Sequence, residues 1–205
     1  MSDHHQTSAE PLRVLVICTG NICRSPLAEQ LLRQAANRAG LGGELVFDSA
    51  GTHAEVGRDV HPQSVSSAAS RQIVIESSIA KQLTPDLIDG ADLVLTATAN
   101  HRGDVVRSLV QANRKTFTLK EFVRVVEFLN GDVSHLEDID RENIERASTI
   151  RDRVALASKY RGFTPPRVES DDVVDPWGLG QETYDAVTDE LIAITARTIE
   201  LLGGN

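Results

Sequence analysis

The stretch Leu12-Arg13-Val14-Leu15-Val16-Ile17-Cys18-Thr19-Gly20-Asn21-Ile22-Cys23-Arg24-Ser25-Pro26 passes from an apolar run to a helix start within a few residues. Leu12 to Ile17 is short, β-branched and almost uninterrupted, the pattern of a central strand buried on both faces. Ser25-Pro26 opens an amphipathic stretch in which Leu27, Leu31 and Leu32 share a face, and proline at a first helical position marks a helix start. The residues between must turn sharply, and Gly20 and Asn21 are the types that tolerate positive φ there. Such a loop points successive backbone N–H groups inward, which suits a doubly charged oxyanion. The helix N-terminus adds its partial positive charge at the same place. These amides and the Arg24 guanidinium favour the thiolate form of Cys18, the form that attacks. The chain offers no Gly-Lys-Ser/Thr triplet, so a nucleotide-binding Walker loop is not the reading.

A thiolate attacking phosphorus needs a proton donor for a phenolate-type leaving group, and a positioned carboxyl contributes about 10²–10⁴-fold. Asp171, Asp172 and Asp175 are the candidates ahead of the C-terminal helix. Asp175 precedes Pro176, whose ring restricts the preceding residue to extended backbone and so helps fix where its carboxylate points.

With 205 residues, 40% of them hydrophobic, the chain can bury one good core, and a single domain over residues 1–205 is expected. A net charge of -9 argues against a nucleic-acid backbone or an anionic membrane as partner. It leaves a phosphorylated substrate open, because local amides and one arginine set the field inside a small pocket. Both cysteines sit in the loop, leaving none for a disulfide framework. No His/Cys/carboxylate cluster has convincing metal spacing, and His4-His5 reads as part of a flexible, solvated tail at 1–10, so neither metal nor cofactor is expected. No apolar stretch approaches transmembrane length and Met1-Ser2-Asp3-His4-His5-Gln6 is too polar for a signal peptide, which places the chain in the cytosol.

Beyond the first strand and helix, Glu44 to Ser49 reads as a second strand, Pro62 to Ser70 as a helix, Ala91 to Thr96 as a third strand, Asn100 to Ala112 as a helix and Lys115 to Leu119 as a fourth strand. A last helix runs from about Glu182 to Leu202, with Gly203-Gly204 as its stop. This alternation predicts a three-layer α/β/α fold on a parallel sheet. Ligands of such sheets bind beyond the carboxyl ends of the strands, where the Cys18 loop lies.

Val16 to Pro26 resembles the signature of the low-molecular-weight protein tyrosine phosphatases, and the likeness extends to Asp48-Ser49-Ala50-Gly51-Thr52, Lys81-Gln82-Leu83-Thr84 and Asp175-Pro176-Trp177-Gly178. The resemblance implies a four-stranded parallel sheet in the order 2-1-3-4 with the phosphate-binding loop after the first strand. It implies that Cys18 is the nucleophile, Arg24 the phosphate clamp and Asp175 the general acid, with Thr19, Gly20, Asn21, Ile22, Cys23, Arg24 and Ser25 around the phosphate. Asn21, Ser25 and Ser49 match positions that support the loop. Where many members carry a histidine this chain has Ser78, which implies a smaller bracing network and slower turnover or a looser loop.

By the same likeness Ile22, His53, Glu55 and Trp177 form the rim. An apolar Ile22 with Trp177 suits a flat phosphotyrosine ring, whereas members acting on phosphoarginine tend to have threonine where Ile22 stands. The Asp175-Pro176-Trp177-Gly178 loop also resembles that of bacterial phosphoarginine enzymes, so protein arginine phosphatase is the alternative. Arsenate reduction by a thiol relay ranks lower, because it needs resolving cysteines outside the loop. The implied substrate is a phosphotyrosine protein, in bacteria a tyrosine kinase or its targets, and the product inorganic phosphate. Glu55 disfavours acidic peptides. In the family a cysteine placed like Cys23 can trap an oxidised nucleophile as a disulfide; a buried thiol is the other reading.

The segment from about 121 to 170 has no placed family counterpart and reads as a largely helical insertion. Phe122, Val125, Val126 and Leu129 recur at helical spacing up to Asn130-Gly131, and Glu142 to Tyr160 reads as one charged helix with Ile144, Ile150, Val154 and Leu156 on its apolar face. Pro165-Pro166 then turns the chain back toward Asp175.

Overall fold

The computed structural model describes residues 10–131, 133–134, 136–165 and 170–204; the expected tail, Glu10 apart, and Pro166 lie outside them. Four parallel strands, β1 (Leu12–Cys18), β2 (Leu45–Gly51), β3 (Leu93–Thr96) and β4 (Thr116–Thr118), form one sheet in the order β2-β1-β3-β4. The central β1 pairs with β2 and β3, Ile17 standing opposite both Ala50 and Thr96.

Strand alternation divides β1 between two cores. Leu12, Val14, Val16 and Cys18 pack with Leu27, Leu31 and Leu32 of α1 (Arg24–Arg38), with α5 (Leu119–Asn130) and with α8 (Gln181–Gly203). Leu15 and Ile17 face Ile88 of α3 (Pro85–Gly90) and Val105 of α4 (Ala99–Ser108) on the other side. Each fully buried aliphatic side chain contributes about 1.5–3 kcal/mol, so a strand covered on both faces anchors the sheet. Helix α2 (Pro62–Ala69) lies against α8, where Ser67 Oγ donates to Asp185 at 2.6 Å.

Three elements differ from the sequence reading. The helix expected over Asn100 to Ala112 stops at Ser108, because Leu109 turns to extended backbone (φ -147) and packs on the second core before a short 3₁₀ turn, Val110–Lys115. Helix α3 was not expected; Thr84 caps it by accepting from the Leu87 amide, with Pro85 at its first position. The charged helix expected over Glu142 to Tyr160 is two helices, α6 (Asp138–Glu145) and α7 (Ile150–Tyr160). Thr149 restarts the second in a reciprocal cap with Asp152. Beyond α7, Arg161 lies 3.7 Å over the Phe117 ring and pairs with Glu121 at 2.8 Å, fastening this segment to β4; burial lowers its pKa to about 10.

Candidate active site

Cys18 ends β1 and is 2% exposed, and the chain turns from it into α1 through Asn21, whose φ is 56°. Four loop carbonyls bond outward: Cys18 O accepts from the Thr52 amide at 2.9 Å, Thr19 O from His53 at 3.0 Å, Gly20 O from Glu55 at 2.9 Å and Ile22 O from His61 at 2.7 Å. In a trans peptide the N–H opposes the C=O, so the amides of Thr19, Gly20, Asn21 and Cys23 turn inward. The β2–α2 connection thus enforces the ring of donors that the sequence suggested.

A relay of hydrogen bonds braces the loop, and its directions follow from one group. Glu29 of α1, buried and paired with Arg33, accepts from Ser49 Oγ at 2.6 Å. Ser49 has then spent its proton, and its oxygen accepts from Asn21 Nδ2 at 3.0 Å. The same amide donates at 2.9 Å to Ser25 Oγ, while Asn21 Oδ1 accepts from the Lys81 amide at 2.9 Å, which fixes the amide's orientation. Ser25 is left to donate its proton to Cys18 Sγ, 3.0 Å away. Ser78 takes no part in this relay; its amide bonds Asp59 at 2.8 Å.

Arg24 is 4% exposed, its Nη1 donating to Val173 O at 3.2 Å and its Nη2 reaching Asp175 Oδ2 at 2.6 Å. Its Nε is buried and bonds no protein atom. Of the three candidate acids, Asp175 comes to Arg24, Asp171 pairs with Arg124 at 2.6 Å, and Asp172 accepts from the Ala99 amide at 2.7 Å. Cys18, Arg24 and Asp175 line one pocket with Ile22, Trp177, His53 and Glu55. Ile22 is a buried wall packed with Cys23, Ala80 and Tyr184, whereas Trp177 is 59% exposed at the mouth. Glu55 at the rim is paired with Arg58.

Cys23 Sγ lies 3.9 Å from Tyr184 Oη in that same apolar cluster, and burial pushes its thiol up to about 11. Two residues of the site escaped the sequence reading. Glu29 had one signal, its place on the face of α1 shared by Ser25 and Leu32, all buried. His101, 6% exposed and 2.9 Å from Thr19 Oγ1, had none beyond its position three residues after Thr98. Among the described residues no group of three His, Cys, Asp or Glu could hold a metal ion, and no helix is long and apolar enough to cross a membrane.

The family model for low molecular weight phosphotyrosine protein phosphatase matches residues 13–149. The chain belongs to this family. It is 46% identical over 159 residues to a probable low molecular weight protein-tyrosine-phosphatase EpsP of Ralstonia solanacearum, covering 77% of this chain and 96% of that protein. It is 36% identical over 110 residues to a protein-arginine-phosphatase of Bacillus subtilis, covering 54% of this chain and 71% of that one. The match to the tyrosine phosphatase Wzb of Escherichia coli, 41% over 88 residues, takes in 43% of this chain and 56% of the Wzb length.

Among solved structures, a YwlE arginine phosphatase mutant with a phosphorylated active-site serine superposes with a TM-score of 0.68 at 25% identity, covering 95% of this chain and 97% of that one. A low molecular weight protein tyrosine phosphatase from T. tengcongensis gives 0.65 at 28%, over 92% and 98%. The fold is therefore that of the low-molecular-weight phosphatases, whose members act on phosphorylated proteins.

Proposed function

We propose that this phosphatase hydrolyses phosphotyrosine in proteins through a phosphocysteine intermediate. One observation carries the reading: the buried, unpaired Nε of Arg24 belongs to a guanidinium that lines the same pocket as the Cys18 sulfur and the Asp175 carboxylate. A buried N–H without a partner costs about 1–3 kcal/mol, which a phosphoryl oxygen recovers. Nε and Nη2 together offer the parallel donors of a bidentate clamp once the Asp175 carboxylate releases Nη2 to act on the leaving group.

Cys18 Sγ attacks phosphorus in line, the S–P bond forms as the P–O bond to the leaving group breaks, and Asp175 gives that oxygen its proton. Asp175 then takes a proton from water, which attacks phosphorus and releases inorganic phosphate. The Ser25 hydroxyl, already directed at Sγ, stabilises the thiolate as it leaves. Thr19 to Ser25 surround the transferring group, and Ser49 supports the loop through Asn21.

Ile22 and Trp177 supply apolar walls for a tyrosine ring. The substrates of this reading are phosphotyrosine proteins in the cytoplasm, a bacterial tyrosine kinase or its targets among them. The second reading, protein arginine phosphatase, is favoured by the likeness to arginine phosphatases and by the Asp175-Pro176-Trp177-Gly178 loop. A thiol-relay arsenate reductase has less support, since Cys18 and Cys23 are the whole cysteine complement.

Hydrolysis of an aryl phosphate, a phosphotyrosine peptide and a phosphoarginine peptide by wild type, Cys18→Ser and Asp175→Ala tests the proposal. Phosphotyrosine is expected to be preferred, with activity abolished in Cys18→Ser and strongly reduced in Asp175→Ala. Turnover by Cys18→Ser would remove the covalent route, and a preference for phosphoarginine would transfer the assignment to the second reading.

A further inference from the structure

His101 is a buried ionisable group that the mechanism above leaves unused, and each of its ring nitrogens meets a hydroxyl. Nε2 lies 2.9 Å from Thr19 Oγ1, and Nδ1 lies 2.8 Å from Thr98 Oγ1. Thr19 follows the nucleophile and lines the pocket. Burial, and next the charge of Arg24, lower the ring's pKa to about 4 against the opposing charges of Asp104, Asp175 and Asp172. The ring is therefore neutral at pH 7 and carries one N–H.

Donor accounting places that proton. Thr98 caps α4, its Oγ1 accepting the His101 amide at 3.3 Å, and its hydroxyl proton is free for Nδ1. Nε2 is then the protonated nitrogen and donates to Thr19 Oγ1, which also accepts from Arg24 Nη2 at 3.4 Å. Both lone pairs of Thr19 are engaged, and its own proton is left for the pocket. The opposite tautomer would strand the Thr98 proton and turn the Thr19 proton away from the pocket, onto Nε2.

We propose that the Thr19 hydroxyl donates to the transferring phosphoryl group and that His101 is the positioning residue that directs it there. The proposal rests on the phosphatase reading. Thr19 then adds a neutral donor to the loop amides, while a neutral imidazole holds it without bringing a second cation beside Arg24.

The ¹⁵N resonances of the His101 ring report the tautomer without reference to activity, and a protonated Nε2 is expected. Aryl phosphate hydrolysis and competitive inhibition by inorganic phosphate report the donor. Thr19→Val is expected to lower kcat/KM and weaken phosphate inhibition by about tenfold each, with Thr19→Ser restoring most of both. His101→Leu should match Thr19→Val, His101→Gln should recover part through its amide N–H, and the Thr19→Val, His101→Leu double variant should lose no more than either alone.

A ring protonated on Nδ1, a Thr19→Val enzyme indistinguishable from wild type, or losses that multiply in the double variant would each overturn the proposal. If His101→Leu does not fold, the Thr19 pair and the ring resonances still decide. Absence of aryl phosphate hydrolysis by wild type, or its survival in Cys18→Ser, would instead sink the phosphatase reading itself.

Discussion

Ser49 donates its hydroxyl to the buried carboxylate of Glu29 at 2.6 Å, and that bond ties β2 to α1 behind the Cys18 loop. Because the Glu29 carboxylate, paired with Arg33, accepts this bond, it sets the sense of each later bond through Asn21 and Ser25 to Cys18 Sγ. Ser49→Ala leaves Glu29 to Arg33 and strands one Asn21 proton, a loss of about 1–3 kcal/mol. The expected outcome is a lower denaturation midpoint together with a roughly tenfold fall in kcat, measured on an aryl phosphate. Unchanged turnover would show that the relay does not reach the sulfur.

Asn21 combines a left-handed backbone with a fully used amide, and two substitutions separate these contributions. Asn21→Ala loses the amide and strains the φ of 56°, at a cost of about 1 kcal/mol or more for a non-glycine residue. Asn21→Gly loses the amide alone. Thermal melts are therefore expected to rank wild type above Gly above Ala, while kcat falls similarly in both variants. Recovery of kcat in Asn21→Gly would mean that backbone shape, not the relay, supports the chemistry.

At the end of β2, Gly51 leaves no room for a side chain. A Cβ there would lie 2.4 Å from Thr19 O and 3.0 Å from Ala54 Cα, both backbone atoms that cannot swing aside. Gly51→Ala is expected to push the Cys18 loop from β2 at a cost of about 3 kcal/mol. Binding of inorganic phosphate, followed by calorimetry on the folded fraction, should weaken well beyond the shift in melting temperature.

The legible parts of this chain were those whose cause is local. The apolar run of β1, the glycine and asparagine of the turn and the proline in the first turn of α1 lie within one short stretch, so the loop is legible from pattern alone. Asp171, Asp172 and Asp175 are rivals on local pattern, the family likeness is what singles out Asp175, and the structure places that residue on Arg24. Glu29 and His101 work across sequence separations of 20 and 82 residues, which leave no local periodicity to read. The break between α6 and α7 was hidden because charged residues continue on both sides of Thr149, although Thr149 and Asp152 spell a reciprocal cap. Helix α3, of six residues, is too short for a helical repeat to show.

His101 makes a second, thermodynamic prediction. Its folded pKa of about 4 lies below the ordinary value of 6.5, so the unfolded chain binds the proton more readily. The associated stability is fully present above about pH 6.5 and is lost as the pH falls toward 4, with a slope of up to about 1.4 kcal/mol per pH unit. Chemical denaturation of wild type between pH 7 and 4 should show this slope, and His101→Gln should flatten it. A parallel pair of curves would assign the acid limb to carboxylates instead.

Lys120 is expected to help place Asp175, the proposed general acid, through the backbone that leads to it. Its Nζ donates to Asp172 O at 2.8 Å and pairs with Glu190 of α8 at 2.5 Å, while the Val173 amide bonds Ala97 O at 2.8 Å. The approach to Asp175 is thereby held between α5, α8 and the end of β3, and this hold is expected to help aim the half-exposed carboxylate that Arg24 Nη2 also meets at 2.6 Å. Lys120→Met keeps the stem that packs but removes the donor. A displaced acid matters most when the leaving group is a poor one, since a good one departs without a proton. Across a series of aryl phosphates, kcat/KM of Lys120→Met should therefore fall increasingly below wild type as leaving-group pKa rises, by roughly tenfold at the poor end and little at the good end. Asp175→Ala should show the same trend more steeply. A uniform loss across the series would mean that Lys120 holds the fold together without aiming the proton.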